Sequence, residues 1–517
     1  MPTARDLRSS HVQKNHVLVR FAALALALTW SAAPGAAHAA EEPLSLNKAI
    51  ERAVAGNPDL RRERITIETA DARVESALGF FDVNLTANFD YARKKTPSLT
   101  ARDPQGGAST TLSLDLGIQR QLESGGNVSL LFSNARNDSG ASLSCGTIDG
   151  VVGECRAYSS SVGLRFTQPL LRGLGPEFAL ANVHRTQIVK DQALLNRLTR
   201  ASSVLRDVIN TYWGLAYATQ DLAIRQSAVE LAREQLRVTK AQIDVGRLAP
   251  VDAAAVERAI GDRQQDVLLS QQELLFRTLE LRRFFGLAVS PSDAAFTAAD
   301  APQATPQAIT IASDVMRALE SNPQLRSLKL GIALTDVDIA TAQSALRPQL
   351  DFVGTLGAAG GNLTRGFDDS LKQVVNVDNP TVTAGLHFAL PVQNRIAGGQ
   401  DRVARWASER AKLEVGDFDQ EIRFQVMRLS SNIDTAGKRL ELARATVGFA
   451  TQNLEAEKAR FSVGRSTNNE VLRVQQELKN AEIQVVRATV DLLIGQVNLR
   501  ALTGDLLETY KISLKGM

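Results

Sequence analysis

Residues 215–247 read LAYATQDLAIRQSAVELAREQLRVTKAQIDVGR, and residues 433–465 read IDTAGKRLELARATVGFATQNLEAEKARFSVGR. In the first stretch Leu215, Leu222, Val229, Leu236 and Ile243 fall every seven residues; in the second, Ile433, Leu440, Val447, Leu454 and Phe461 do the same. A strict seven-residue apolar repeat makes helices supercoil around a neighbour. No proline stands between Glu177 and Ala249 and none follows Pro391. Each stretch therefore predicts one uninterrupted rod of ~70 residues, about 100 Å at 1.5 Å per residue. Both end in Val-Gly-Arg, and a second series follows each: Ile260, Val267, Leu274 and Leu281, then Leu478, Val485, Leu492 and Leu499. Gly246 and Gly464 tolerate the left-handed geometry of a reversal. The reading is a helix, a turn (246–250 and 464–469) and an antiparallel return, twice.

The duplication extends outward. Gly56-Asn57-Pro58 matches Ser321-Asn322-Pro323 at an offset of 265, and Pro169-Leu170 matches Pro391-Val392 at 222. The Val-Gly-Arg turns match at 218, so the first half carries the extra residues, between its Asn-Pro and its Pro-Leu. Repeats are sought first because they change the fold assignment. Between the helices the period becomes two. Val83, Leu85, Ala87, Phe89 and Tyr91 alternate with Asn84, Thr86, Asn88 and Asp90. Leu112 to Ile118, Val128 to Phe132, Val162 to Phe166, Leu350 to Leu356 and Val382 to Leu390 continue the pattern. Six strands with one apolar and one polar face suit a barrel that is apolar outside and wet inside. The turn at Glu123–Asn127 is tight, whereas 94–109 and 137–158 are long, polar and rich in Gly and Ser.

Residues 1–39 read as a signal peptide. Arg5, Arg8, Lys14 and Arg20 precede the apolar run Phe21–Leu28, and small residues end at Ala37-His38-Ala39. Removing them takes four basic residues and Asp6, so 59 Lys+Arg and 56 Asp+Glu fall to 55 each, and a net-neutral chain argues against nucleic-acid binding. With 5 His and 2 Cys, zinc and iron–sulfur sites are excluded in practice. No HExxH, P-loop or nucleophile elbow is present, so no enzymatic activity and no cofactor is expected. Cys145 and Cys155 share one long loop, and in an oxidising compartment the expectation is a disulfide worth roughly 3 kcal/mol.

Taken in order and twice over, Gly56-Asn57-Pro58, Pro169-Leu170-Leu171-Arg172-Gly173 and the paired Val-Gly-Arg turns resemble the TolC-like outer-membrane factor family. The resemblance covers nearly all of the chain after residue 39. It implies a homotrimer. Strands from each copy would build one outer-membrane barrel, continued by a periplasmic α-helical coiled-coil barrel. It implies a passive, gated duct whose inner end meets a periplasmic adaptor protein and an inner-membrane pump of the RND, ABC or MFS type. It implies an entrance gate at the turns, carried by position onto Val251, Asp252, Ser466, Glu470 and Arg473, and adaptor contacts at Gly246, Arg247, Gly464 and Arg465. The sequence departs from the family where Arg473 stands in place of an expected acid, so Glu470 and Arg473 would pair, weakening any preference for cations. Four strands per copy are usual in the family, and whether residues 111–136 join the wall or form an outer hairpin is left open, with wall membership favoured.

The expected fold class is thus α+β, membrane-embedded, with two internal repeats. Residues 40–286 hold helix 46–78, strands 82–170, long helix 175–245 and return helix 251–285. A Pro/Ala-rich linker spans 287–308. Residues 309–504 hold helix 309–346, strands 349–391, long helix 398–463 and return helix 468–503, before a short tail, 505–517. Trp213 and Trp406 are expected to pack between helices. The rival reading is a periplasmic coiled-coil or adaptor protein without channel activity, which the alternating strands disfavour.

Overall fold

The computed structural model describes residues 42–96, 107–139, 155–288, 295–305, 310–363 and 365–512. Strand β1 (Glu42–Leu44) leads to helices α1 (Leu46–Gly56) and α2 (Pro58–Leu78). Four strands follow: β2 (Asn84–Thr96), β3 (Gly107–Gln121), β4 (Asn127–Ser139) and β5 (Cys155–Pro169). Next come α3 (Pro176–Ala179), α4 (Ala181–Asp244) and α5 (Pro250–Phe284). After β6 (Phe296–Ala298) the chain forms α6 (Ile311–Ser321), α7 (Pro323–Leu346), β7 (Gln349–Asn362), α8 (Phe367–Val375) and β8 (Pro380–Ala389). It ends with α9 (Arg395–Ser462), α10 (Asn468–Thr503) and α11 (Leu506–Thr509). Residues 1–39, read above as a signal peptide, and Cys145 lie outside the described residues.

Several helix boundaries correct the sequence reading. The helix expected over 46–78 is two helices, because Asn57 takes an extended backbone (ψ 124°). A residue before proline is pushed out of the α region. Its side chain then caps α2, accepting from the N–H of Asp59 (2.9 Å) and Leu60 (3.3 Å), while its amide donates to the Phe284 carbonyl (3.0 Å) at the end of α5. The helix expected over 309–346 breaks in the same way at Asn322 (ψ 117°). Asn322 accepts from the Leu325 N–H (3.1 Å) and donates to the Leu502 carbonyl (3.1 Å) near the end of α10. The Asn-Pro pairs thus pin each break against the last turn of a return helix. The helix expected from 175 is divided at Leu180 (φ −89°, ψ 2°). The strand segment 349–391 contains a helix, α8. The linker contributes β6, which pairs in parallel with β1, and the tail contributes α11.

Strands β2-β3-β4-β5-β7-β8 form one antiparallel sheet in that order, with β2 and β8 at its edges. Residues 111–136 comprise most of β3 and β4 with the turn between them, and both strands lie inside the sheet. The register carries the period-two pattern across all six strands. Leu85, Ile118, Leu130, Leu164, Leu356 and Val382 stand in one row, and the row Asn84, Gln119, Ser129, Arg165, Thr355 and Thr383 lies on the opposite face. The apolar row is open, with Leu85 74%, Leu356 56% and Val382 73% exposed. An apolar belt of that extent needs a non-aqueous cover. Near the β7–β8 connection α8 lies over this face, where Ser370 and Ser160 are buried against one another (Oγ to Oγ 2.7 Å).

The heptad residues pack as their spacing requires. Leu215, Leu281, Leu440 and Leu492 are fully buried, and Val229, Ile433, Leu454 and Phe461 nearly so. Each such burial stabilises by roughly 1.5–3 kcal/mol. The largest apolar cluster lies where α1, α4, α5, β6, α10 and α11 meet, around Tyr212, Ile209, Phe296 and Leu506. The Tyr212 hydroxyl lies 2.7 Å from an Asp300 carboxylate oxygen and 3.0 Å from the Leu44 carbonyl, joining β1 and the linker to α4. Trp213 packs edge-on against Tyr212 (ring centres 5.4 Å apart). Trp406 departs from expectation: it is 72% exposed, since its stretch of α9 has no helix against that face within one chain. No helix among the described residues is long and apolar enough to cross a membrane.

Candidate functional site: the two helical tips

Each long helix ends in the same motif. In α4 the Gly246 N–H donates to the Ile243 carbonyl (2.8 Å) and the Arg247 N–H to the Gln242 carbonyl (2.8 Å). In α9 the Gly464 N–H donates to Phe461 (3.0 Å) and the Arg465 N–H to Arg460 (2.9 Å). This 5→2 and 6→1 pair is a Schellman cap, which requires a left-handed residue. Gly246 (φ +75°) and Gly464 (φ +76°) supply it. A β-carbon built on either glycine meets nothing within 4 Å, so both turns stand clear of the rest of the chain.

The residues expected at the gate occupy these tips. Val251 is 73% exposed in the first turn of α5. Asp252 acts locally, its carboxylate accepting from the Ala249 N–H (3.1 Å) as half of a capping box. In the second tip, Thr467 caps α10 through the Glu470 N–H (3.3 Å). Ser466 donates to Glu457, a buried carboxylate that also accepts from Arg460 (3.1 Å). Arg473 lies between Glu470 (3.1 Å) and Glu477 and pairs with both inside one chain. That pairing holds the Glu470 carboxyl below the usual carboxylate range and raises the Arg473 guanidinium.

A buried polar ladder above the tips was missed by the sequence reading. Asn468 is 4% exposed, and its side-chain oxygen accepts from the Gln235 amide (2.8 Å) and the Thr239 hydroxyl (2.9 Å), tying α10 to α4. Farther along, Arg263 on α5 donates to the Ala228 carbonyl of α4 (2.8 Å) and to Gln475 of α10 (3.1 Å); burial pushes its guanidinium down from the ordinary value. Lys479 is buried against Asp266 (2.7 Å), which also faces Arg225 (3.4 Å). Arg225 in turn pairs with buried Asp221 (2.6 Å), to which Ser270 donates (2.7 Å). The available signal was polar residues at helical spacing, Gln235 with Thr239 and Gln475 with Lys479, interrupting otherwise apolar faces. Among the described residues no group of three or more His, Cys, Asp or Glu could hold a metal ion. Nothing in this geometry is a catalytic constellation. It is a pair of capped, exposed turns on rods held together by polar ties. Of the two cysteines expected to pair, Cys155 opens β5 and Cys145 falls outside the described residues.

Comparison with known proteins agrees with this architecture. The family described as outer membrane efflux protein matches over residues 315–505. The outer membrane protein TolC of Escherichia coli (strain K12) is 24% identical over 321 residues, 61% of this chain; the match spans 64% of that relative, under two thirds of its length. The alkaline protease secretion protein AprF of Pseudomonas aeruginosa is 23% identical over 387 residues, covering 73% of this chain and 76% of AprF. Among solved structures, the Campylobacter jejuni CmeC outer membrane channel superposes with a TM-score of 0.62 over 89% of this chain and 86% of that one, at 15% identity, a likeness of fold. Duplicated capped rods, an alternating six-stranded sheet, the match over residues 315–505 and these relatives point the same way: the chain is similar to TolC-like outer membrane efflux proteins.

Proposed function

We propose that this protein is the outer-membrane duct of a three-part export system, serving efflux or type I secretion, and that it works as a homotrimer. The observation that carries this reading is the sheet. Its apolar row is continuous from β2 to β8, its other face is polar, and the outer edges of β2 and β8 have no strand against them within the described residues of one chain. Open edges are not tolerated in lipid, so such a sheet must close on further copies. Sides coated by lipid and a wet interior make a pore. The helices α4, α5, α9 and α10 then extend the pore into the periplasm.

The two tips form the inner entrance in this proposal. Val251, Asp252, Ser466, Glu470 and Arg473 surround it, and the turns at Gly246, Arg247, Gly464 and Arg465 receive a periplasmic adaptor that links the duct to an inner-membrane pump. Because Glu470 is neutralised by Arg473 within its own chain, the entrance discriminates weakly for cations. Cys145 and Cys155 form a disulfide in an outer loop, checked by thiol labelling of intact cells with and without reductant. The duct reading is tested by reconstituting purified protein into planar lipid films while measuring its assembled mass. Discrete conductance from a threefold assembly supports it, and a water-soluble monomer that leaves the films silent refutes it. Deleting the gene and measuring both drug susceptibility and the secreted proteome identifies the cargo.

A further inference from the structure

We infer that all six strands of each copy stay in the wall, giving an eighteen-stranded barrel in which β2 of one copy pairs with β8 of the next. The inference rests on the threefold duct proposed above and goes beyond it in strand number and bore. Three observations carry it. First, the β3–β4 hairpin is integral to the sheet. β3 pairs with β2 through 13 consecutive residue pairs, Asn84↔Gln119 to Thr96↔Gly107, and β4 with β5 through 13, Asn127↔Thr167 to Ser139↔Cys155. Swinging it out would strand both ladders and leave β2 and β5 bare in lipid. Second, the hairpin's turn is fastened at the foot of the wall. The Ser124 carbonyl accepts from the Gly175 N–H (3.0 Å) and the Gln168 amide (3.0 Å), and the Ser124 hydroxyl donates to Gln168 (2.8 Å). Gly125 sits so close that a β-carbon there would lie 2.2 Å from the Gly173 carbonyl oxygen. These contacts join the turn to the start of α3, where the wall passes into the helices.

Third, the two edges complement one another. Six strands alternate in direction, so β2 and β8 run oppositely, and a copy's β8 meets its neighbour's β2 antiparallel. The outward residues are odd-numbered on β2 (Leu85, Ala87, Phe89) and even-numbered on β8 (Val382, Ala384, Leu386). Every β8 residue before Ala389 is exposed, as is every β2 residue from Asn84 to Lys95. Pairing odd with even continues the apolar belt around the ring. With strands ~4.8 Å apart and tilted ~40°, eighteen strands close at ~36 Å between opposite backbones, against ~24 Å for twelve. An exit of that bore does not sieve cargo, which leaves size selection to the helical tips.

The test is electron cryomicroscopy of the wild-type protein in lipid nanodiscs, read at the barrel cross-section. Eighteen strands from three copies is the expected result. Twelve strands with residues 107–139 outside the wall, or any other count, overturns the inference. A second measurement uses Cys145→Ser/Cys155→Ser protein carrying Ala87→Cys and Val162→Cys. These positions share a row but stand three strand spacings apart, ~14 Å, so oxidation should form no disulfide between them. Disulfide formation means that β2 and β5 are neighbours and overturns the inference. Conductance in planar films persists with either strand number, so a twelve-stranded conducting trimer defeats this inference alone, whereas silent films defeat the duct reading.

Discussion

Replacing Asn468 by alanine should loosen the entrance proposed at the tips, by an amount that follows from its hydrogen bonds. Its oxygen is the acceptor for the Gln235 amide (2.8 Å) and lies 2.9 Å from the Thr239 hydroxyl. Thr239 has a second acceptor in the Gln235 carbonyl (2.8 Å), so its single proton keeps a partner in the variant. The Gln235 amide, 6% exposed, does not. Leaving one buried donor unmade costs ~1–3 kcal/mol. If the tips part when the duct opens, water solvates that amide in the open state, and the cost falls on the closed state alone. About 2 kcal/mol in one copy is a ~30-fold shift. In the proposed trimer, three copies opening together give about 6 kcal/mol, close to the ~5.5 kcal/mol that carries a two-state equilibrium from 1:99 to 99:1. Single-channel recording in planar films should therefore show Asn468→Ala mostly open where the wild type is mostly closed. Removing both polar partners leaves nothing stranded, so Gln235→Leu/Asn468→Leu should return close to wild-type closure. A double variant as leaky as the sum of the two single variants would refute the buried-bond argument, as would an Asn468→Ala channel indistinguishable from wild type.

Three further outcomes follow from the geometry. Gly464→Ala has open space but the wrong backbone preference, costing roughly 1–2 kcal/mol in the left-handed region, so under the proposed duct reading export should fall in a cell-based assay while the proposed trimer still assembles, and Gly464→Asn should be milder. Because Arg473 lowers the Glu470 carboxyl, the pair's contribution is complete above the usual carboxylate pKa of ~4.3 and is lost only as pH falls through the lowered value. In Arg473→Ala the acid midpoint of channel conductance should therefore move upward, and an unmoved midpoint would count against the pair. Tyr212→Phe removes a buried hydroxyl from Asp300 and Leu44, which should cost ~1–3 kcal/mol and speed hydrogen exchange in residues 42–44 and 296–298; unchanged protection would show that the tie carries little.

Period alone located most of the elements. Leu215, Leu222 and Val229 face the packed side of α4 because a seven-residue spacing keeps one stripe toward a neighbour. Leu85 and Phe89 mark a strand because alternation sorts side chains to two faces. Val245-Gly246-Arg247 and Val463-Gly464-Arg465 were legible as reversals, since few residues besides glycine accept that backbone. The breaks at Asn57 and Asn322 are signalled by the Asn-Pro pairs, yet the apolar periodicity on either side of each reads as one continuous helix, and α8 lies in a stretch whose flanks alternate as strands do. Trp406 shows the opposite limit: an aromatic on a long helix says nothing about whether a second helix arrives to cover it.

What the residues determined on their own was local: rods, ribbons, their order and the glycine turns, each set by backbone preference and by the spacing of apolar side chains within a few residues. What the tertiary structure alone decided was pairing across hundreds of residues. Asn468 meets Gln235 and Thr239, Lys479 meets Asp266, and the turn at Ser124 is fastened beside Gly175 at the base of a six-stranded sheet. A polar side chain on a helix face reads the same whether it ends in water or in a buried tie, because the difference lies in which distant element packs against it.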